Sequence, residues 1–221
     1  MKTWKSSLLE RVPSLYPCRT LRTSVTTSYV DYDDAWYASL GLGVAKAYRI
    51  LSVEAQYTGT TAIVVNGKTD NHSNICVLDL KTGLMWSQTV SASVGPGSNG
   101  LLPWKTTGSG ATAEGIFPYV LAANVAGLAG FTDWRIANMN ELLPLIVYGD
   151  TVRDAEGPDL TAFPTWPDGS GVAYGIVWSS TPTAVDPTVD GLGMKGAIYH
   201  SGVGGYAYTN AYFCALVRGG N

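Results

Sequence analysis

Helical patterns occupy only the middle of the chain, and strand patterns lie on both sides of them. Pro118 stands near the start of an alanine-rich run, Tyr119 to Leu128, which is followed by an Ala-Gly pair, and this order of proline and glycine is typical of a helix. Asn138 and Glu141 have the spacing of a capping box and predict a second helix, which Pro144 should distort or shorten. Strands, then two helices, then strands predict an α+β fold.

Turn residues divide the strand patterns into hairpins. Strand-like residues run from Tyr48 to Tyr57 and from Thr61 to Val65, and Asn66-Gly67 after the second run is a strong hairpin signal. Another hairpin is predicted between Asn74 to Leu80 and Leu84 to Val90. Four further strands are predicted near the end of the chain: Gly175 to Ser180, Gly196 to His200, Gly205 to Thr209 and Tyr212 to Arg218.

The charge of the chain is low and unevenly distributed. The formal net charge is -3, only 14% of the 221 residues are charged, and residues 1–22 hold five Lys or Arg side chains against Glu10 alone. Because the remainder is acidic and lacks clustered cations, we expect no binding to nucleic acid. No signal-peptide pattern or bilayer-length apolar run is present, so we expect neither export nor membrane insertion. We interpret residues 1–22 as a basic attachment leader and residues 23–73 as a β-rich connector segment.

Motifs for catalysis, cofactors or metals are sparse. Cys18, Cys76 and Cys214 lack the spacing of a zinc site, and His72 and His200 are far apart in the sequence and are interpreted as surface or hydrogen-bonded structural residues. We therefore expect no cofactor, no metal site and no enzymatic activity. Two sets of loop carboxylates leave calcium binding as an open alternative: Asp31, Asp33 and Asp34, and Asp154, Glu156 and Asp159.

A glycine-rich segment at residues 191–196 has the letter pattern of a dinucleotide-binding loop. The proline-containing residues before it make a poor central strand, and no acidic residue follows about 20 positions later to bind a ribose. We do not expect this segment to bind a nucleotide.

Five short phrases follow one another along the last two thirds of the chain. They are Asp79 to Trp86, Gly130 to Ile136, Asn140 to Leu143, Trp178 to Thr181 and Leu216 to Gly220. Each phrase alone is unspecific, but together and in this order they resemble the Lcl C-terminal domain family, named for a collagen-like bacterial adhesin. The resemblance implies that residues 74–221 form a C-type-lectin-like domain of the α+β class, in which two helices flank a small twisted antiparallel sheet.

The residues that carry the resemblance have structural roles that follow from their chemistry. A glycine supports the hairpin turn, the tryptophans bring large apolar areas and an indole donor to the core, and the charged residues are suited to tie loops together. These motif residues are Asp79, Gly83, Trp86, Asp133, Trp134, Arg135, Trp178 and Arg218.

The sequence departs from the family where cysteines are common. The register of the surrounding phrases places Ala123 and Leu216 at the two cysteine positions, so both partners are replaced together. We expect an apolar contact in place of a disulfide, which suits a protein that matures in a reducing compartment. The calcium motifs of true C-type lectins, Glu-Pro-Asn and Trp-Asn-Asp, are also absent.

The resemblance has functional implications, because family members occur at the ends of bacterial adhesins and in bacteriophage structural proteins. It implies a phage virion protein, a tail, fibre-tip or capsid-surface component, whose lectin-like domain recognises a bacterial surface glycan or protein. We expect assembly in the host cytoplasm, a homo-oligomer, and contact with other virion proteins through residues 1–22. The alternatives are a purely structural virion protein whose loops pack subunits, a bacterial surface adhesin, and a hydrolase or formylglycine-generating-type oxidase with a related fold.

A tyrosine-rich region near the end of the chain is the candidate ligand-binding surface. Tyrosine supplies amphipathic contact area at low entropic cost, small polar residues supply adaptable hydrogen bonds, and aromatic faces stack on sugar rings. Strand alternation should place Tyr206 and Tyr208 on one face. Packing within the sheet or against another subunit is the alternative role. The candidate residues are Tyr199, His200, Tyr206, Tyr208, Asn210 and Tyr212.

Overall fold

The computed structural model describes residues 46–105, 113–147, 157–164, 166, 176–182, 190–195, 202–207 and 209–219. The chain divides into two units, Met1–Lys46 and Ala47–Asn221, and the fold given below is that of the second unit. The predicted leader, residues 1–22, and the first part of the predicted connector lie outside the described residues.

The described residues form an α+β fold, as predicted, with two α-helices and several small sheets. The helices are α1, Ile116–Ala126, and α2, Met139–Leu142. The strands are β1, Tyr48–Leu51; β2, Thr60–Val65; β3, Lys68–Ser73; β4, Cys76–Asp79; β5, Met85–Ser87; β6, Leu102–Pro103; β7, Arg135–Ile136; β8, Ile146–Val147; β9, Gly157–Pro158; β10, Ile176–Pro182; β11, Asp190–Lys195; β12, Gly202–Ala207; β13, Ala211–Cys214; and β14, Leu216–Arg218.

The first five-stranded sheet has the order β1-β4-β5-β14-β7, and its neighbouring strands are antiparallel. The predicted hairpin of β4 and β5 is confirmed. Asp79 holds its turn, because its carboxylate accepts hydrogen bonds from the Lys81 amide at 2.8 Å and the Thr82 hydroxyl at 2.7 Å. Gly83 adopts a left-handed φ of 73°, the conformation in which glycine has no steric penalty.

The second five-stranded sheet has the order β12-β11-β10-β13-β6. Strands β10 and β13 run parallel, and the other neighbours are antiparallel. Strand β11 contains most of the glycine-rich segment that matched the dinucleotide pattern, and it pairs with β10 and β12 on its two sides. The predicted strand from Tyr212 to Arg218 is divided at Ala215, because β13 joins the second sheet and β14 the first. The predicted strand 196–200 lies outside the described residues.

A separate hairpin consists of β2 and β3. Its turn residues, Asn66 and Gly67, have φ values of 50° and 71°, as a tight two-residue hairpin requires, so this prediction is confirmed. The strand predicted from Tyr48 to Tyr57 is wrong in its second half. It ends at Leu51, and Ala55–Tyr57 form a 3-10 turn whose last side chain enters the core.

The two helices end where glycine and proline dictate. Helix α1 stops at Ala126 because Gly127 takes a left-handed conformation (φ 68°, ψ 48°) and its amide bonds back to the carbonyls of the last turn. The predicted end at the later Ala-Gly pair is therefore wrong by a few residues. Helix α2 has the predicted capping box of Asn138 and Glu141, and it is reduced to one turn before a 3-10 turn that contains Pro144.

Two hydrophobic clusters fill the space between these elements. One surrounds Trp134 and Trp178 and includes the inner face of α1, and the other surrounds Trp86 and Phe163. The indole of Trp134 donates to the Leu128 carbonyl at 2.9 Å and that of Trp178 to the Leu102 carbonyl at 2.8 Å, whereas the Trp86 indole has no acceptor among the described residues.

The family's cysteine positions lie in the first cluster. Ala123 and Leu216 are both fully buried there. Cys76 and Cys214 are buried free thiols in the same cluster. Apolar packing thus surrounds the positions where a disulfide was predicted to be missing.

Candidate functional site

Three aromatic rings from three strands form a cluster on the second sheet, called the aromatic cluster below. The ring of Tyr212 lies 5.0 Å from that of Trp178 and 5.0 Å from that of Tyr206, and Trp178 and Tyr206 are 6.1 Å apart, measured between centroids. Trp178 is fully buried, and the two tyrosines are half-buried. The cluster therefore has a rigid buried base and a partly accessible outer edge.

Glycines in β11 explain how rings from strands that are not neighbours can meet. Strand β11 separates β10, which carries Trp178, from β12, which carries Tyr206. The residues that pair with Trp178 and Tyr206 across the ladder are Gly193 and Gly191. A glycine in a strand leaves space above the sheet, so the two rings reach one another across β11.

The accessible edge of the aromatic cluster has hydrogen-bonding groups. Asn210, exposed at the turn between β12 and β13, donates through its side-chain amide to the Tyr212 hydroxyl at 3.3 Å. Burial, with a smaller contribution from Tyr212, raises the pKa of Tyr206 to about 12. Burial also raises the pKa of Tyr212, against the opposing effect of the Asn210 hydrogen bond. Both phenols therefore keep their protons at neutral pH and can donate as well as accept.

Three of the six predicted ligand-binding residues thus come together. Tyr206, Asn210 and Tyr212 meet at one edge of the second sheet, whereas Tyr199, His200 and Tyr208 lie outside the described residues. Tyr206 is half-buried and Ala207 is exposed, as alternation along β12 predicts. Sequence reasoning could not show that Trp178 is the base on which the two tyrosines pack.

The charged motif residues tie loops to the end of the first sheet, in agreement with the prediction from their chemistry. Arg218 on β14 makes two hydrogen bonds to the Asp133 carboxylate, at 2.7 and 3.1 Å, and its guanidinium lies 3.7 Å from the centroid of the Phe131 ring. Arg135 makes two hydrogen bonds to Glu141, at 2.7 and 2.6 Å. Burial opposes ionisation of Glu141, but Arg135 and the Asn138 amide outweigh it and hold the Glu141 pKa below its ordinary value.

A buried polar network connects β3 with α1, and it was not predicted. Asp70 and His72, alternate residues of β3, are each about 2% exposed. The Tyr119 hydroxyl on α1 donates to Asp70 Oδ2 at 2.7 Å and lies 2.9 Å from His72 Nδ1. Since one hydroxyl has one proton, His72 Nδ1 must donate to the Tyr119 oxygen. His72 Nε2 contacts the Thr89 hydroxyl at 3.2 Å, so a network that resembles an acid-base site is enclosed by its own partners.

An apolar groove runs between α1 and β2 on the outside of the domain. It has a volume of about 730 Å³. Four large apolar side chains of the groove are exposed to solvent: Val64 is 55%, Phe117 42%, Leu121 66% and Val125 81% accessible. The lining residues are Ala62, Val64, Val65, Asn66, Ala113, Phe117, Pro118, Leu121, Ala122, Val125 and Ala126.

Within the described ranges, no three His, Cys, Asp or Glu side chains come close enough to hold a metal ion. Of the acidic sets considered for calcium, only Asp159 is described. Neither described α-helix has the length and apolar character needed to cross a bilayer.

A family model matches most of the domain described above. The family model described as the Lcl C-terminal domain matches residues 75–218, which include both five-stranded sheets except β1, both helices and the whole aromatic cluster. Comparisons with curated proteins and with solved structures found no similar chain.

Proposed function

Because the chain belongs to the Lcl C-terminal domain family, we propose that it is a phage virion protein, a tail, fibre-tip or capsid-surface component, that recognises a bacterial surface glycan. The proposed place in a phage virion rests on the family match. The observation that supports recognition is the aromatic cluster, with Asn210 at its edge. The proposed localisation is the virion, and the proposed binding domain is C-type-lectin-like.

The chemistry of the cluster suits a sugar ring. A pyranose has an apolar face and a rim of hydroxyl groups, and an aromatic ring with adjacent hydrogen-bonding groups complements both. Tyr206 and Tyr212 provide half-buried rings held in place by Trp178, while Asn210 and the two phenols provide donors and acceptors. Little conformational entropy is lost on binding, because the rings are already packed.

The sharpest test uses the residue of the site that contributes least to the core. Asn210 is exposed, so Asn210→Ala should leave the thermal midpoint unchanged, yet it removes a donor and the group that orients the Tyr212 hydroxyl. We expect binding of the full chain to host cells, or to a panel of bacterial surface glycans, to weaken about 5-fold or more, as for loss of one polar contact of about 1 kcal/mol. Asn71→Ala, at an exposed position of β3, is the matched control.

A second candidate function is a structural virion protein whose surfaces pack subunits together. The apolar groove favours it, because exposed aliphatic side chains of this size mark contact surfaces more often than ligand sites for polar molecules. Mass spectrometry of purified particles together with cell binding separates the two. Incorporation into particles with no binding of the isolated protein, or binding that Asn210→Ala and Asn71→Ala affect equally, would contradict recognition through the aromatic cluster.

A further inference from the structure

We propose that the apolar groove is the contact surface of a two-fold symmetric dimer, in which α1 and β2 pack against the same elements of a second copy of this chain. The groove is a different surface from the aromatic cluster, and its role in a dimer does not depend on glycan recognition.

Helix α1 has an unusually apolar composition for a helix at the surface of a domain. Its eleven residues, Ile116–Ala126, include no charged side chain. Ile116, Tyr119 and Ala123 face the core and are fully buried. A surface helix normally carries polar residues on its other face, and a helix that is apolar all round is normally buried all round. The outward residues of α1 therefore indicate that something covers them.

The outward residues of α1 form a ridge with a groove beside it. Phe117, Leu121 and Val125 recur every four residues and form a ridge along α1 that is roughly 12 Å long. Beside the ridge, small residues such as Ala122 and Ala126 line the groove toward β2. Ridges of this spacing pack into the grooves of a facing helix. A surface that has a ridge and a matching groove side by side can complement itself under a two-fold rotation.

The lack of charge in the groove lining favours an occupant that is itself uncharged. The groove lining contains no charged residue, and the nearby Lys68 and Glu114 are paired with each other at 3.2 Å. A charged peptide, nucleic acid or anionic surface would therefore find no counterpart in the lining. A second copy presents the same uncharged face, and the small net charge of -3 produces only weak repulsion between copies.

Sedimentation equilibrium of the full chain over a wide concentration range tests the proposal with a matched pair of variants. Val125 in the groove is 81% exposed, and Val53, which does not line it, is 84% exposed. We expect the wild-type chain to sediment as a dimer. Val125→Lys should raise the dissociation constant roughly 30-fold or more, since it places two cations in a closed apolar interface, and Val53→Lys should have no effect.

A crosslink tests the two-fold symmetry, because the middle residue of the ridge lies nearest the axis. In a Cys18→Ser background, Leu121→Cys should form an interchain disulfide under mild oxidation and Val53→Cys should not, while the buried thiols of Cys76 and Cys214 stay unreactive. A monomer at every concentration, an odd number of chains, or a dimer that Val125→Lys leaves intact would overturn the proposal. So would a monomer that dimerises only after residues 1–45 are deleted, because the groove would then be covered by its own chain.

Discussion

The Tyr119 hydroxyl should contribute to stability beyond the packing of its ring, and Tyr119→Phe tests this. The substitution keeps the ring and removes only the hydroxyl oxygen. The buried Asp70 carboxylate then loses a hydrogen bond of 2.7 Å, and His72 Nδ1 loses one of 2.9 Å. A hydrogen bond to a buried charged group contributes about 1.5–3 kcal/mol. We therefore expect the free energy of unfolding to fall by about 2–3 kcal/mol and the thermal midpoint by roughly 4–10 °C.

Urea unfolding at pH 7 measures this loss, and Tyr57→Phe is the matched control. Tyr57 is also buried, at 5% exposure, but its hydroxyl makes no hydrogen bond within the described residues. Its loss should change the unfolding free energy by less than about 0.5 kcal/mol. Equal effects of the two substitutions would refute the argument, because they would show that the network adds nothing beyond ring packing.

The pH dependence of the same variant gives an independent check. Burial opposes ionisation of Asp70, but the adjacent His72 and the hydrogen bonds from Tyr119 and the Ala92 amide outweigh it and hold the Asp70 pKa below its ordinary value of 3.8. The unfolded chain therefore binds the proton first as the pH falls. The stability that the charged carboxylate contributes is complete above about pH 5 and is lost as the pH falls through the folded pKa. The difference in unfolding free energy between wild type and Tyr119→Phe should accordingly shrink as the pH falls below about 5. A difference that stays constant with pH would contradict this account of Asp70.

Two further predictions concern the loop before β6 and the thiols. Gly100→Ala should prevent stable folding, because at φ 80° the added Cβ would lie 2.2 Å from the Ser91 carbonyl oxygen. Gly67→Ala, at φ 71° in open space, should lower the free energy of unfolding by only about 1 kcal/mol. Soluble yield and urea midpoints measure both effects, and equal tolerance of the two substitutions would contradict the close contact at Gly100. Nonreducing mass analysis should find Cys76 and Cys214 unlinked and alkylated only after unfolding. Burial raises the pKa of the Cys76 thiol to about 12 and also raises that of Cys214, so neither thiol is reactive in the folded chain. A disulfide between the two cysteines would contradict this prediction.

Features set by neighbouring residues were predictable from the sequence. The Asn66-Gly67 hairpin, the capping box of Asn138 and Glu141, and the shortening of α2 at Pro144 each depend on interactions within a few residues. The end of α1 is harder to predict from the sequence, because Gly127 and Gly130 are both glycines that can end a helix. Both adopt a left-handed φ, 68° and 83°, and local pattern does not decide at which of them the helix ends.

Features set by distant residues could not be predicted in the same way. Strand β11 is rich in glycine and has low intrinsic strand propensity, but ladders with β10 and β12 hold it on both sides. Asp70 and His72 have the polarity of a solvent-facing strand edge, and their burial depends on partners elsewhere in the chain, among them Tyr119, nearly fifty residues away. Composition groups Tyr206, Asn210 and Tyr212, which lie close together in the structure. The contact of both tyrosines with Trp178 arises from the sheet order and has no signal in the sequence.

The crossing of the chain from β13 to β14 has a consequence for biosynthesis. These adjacent segments, Ala211–Cys214 and Leu216–Arg218, are internal strands of two different sheets, and the hydroxyls of Ser91 and Ser87 bind the amides of Cys214 and Leu216 on either side of the crossing. While the ribosome is still translating the earlier residues, β5 and β7 lack the strand between them, and so do β10 and β6. A nascent chain therefore exposes unpaired strand edges of both sheets until Arg218 has left the exit tunnel, and both sheets become complete at nearly the same moment.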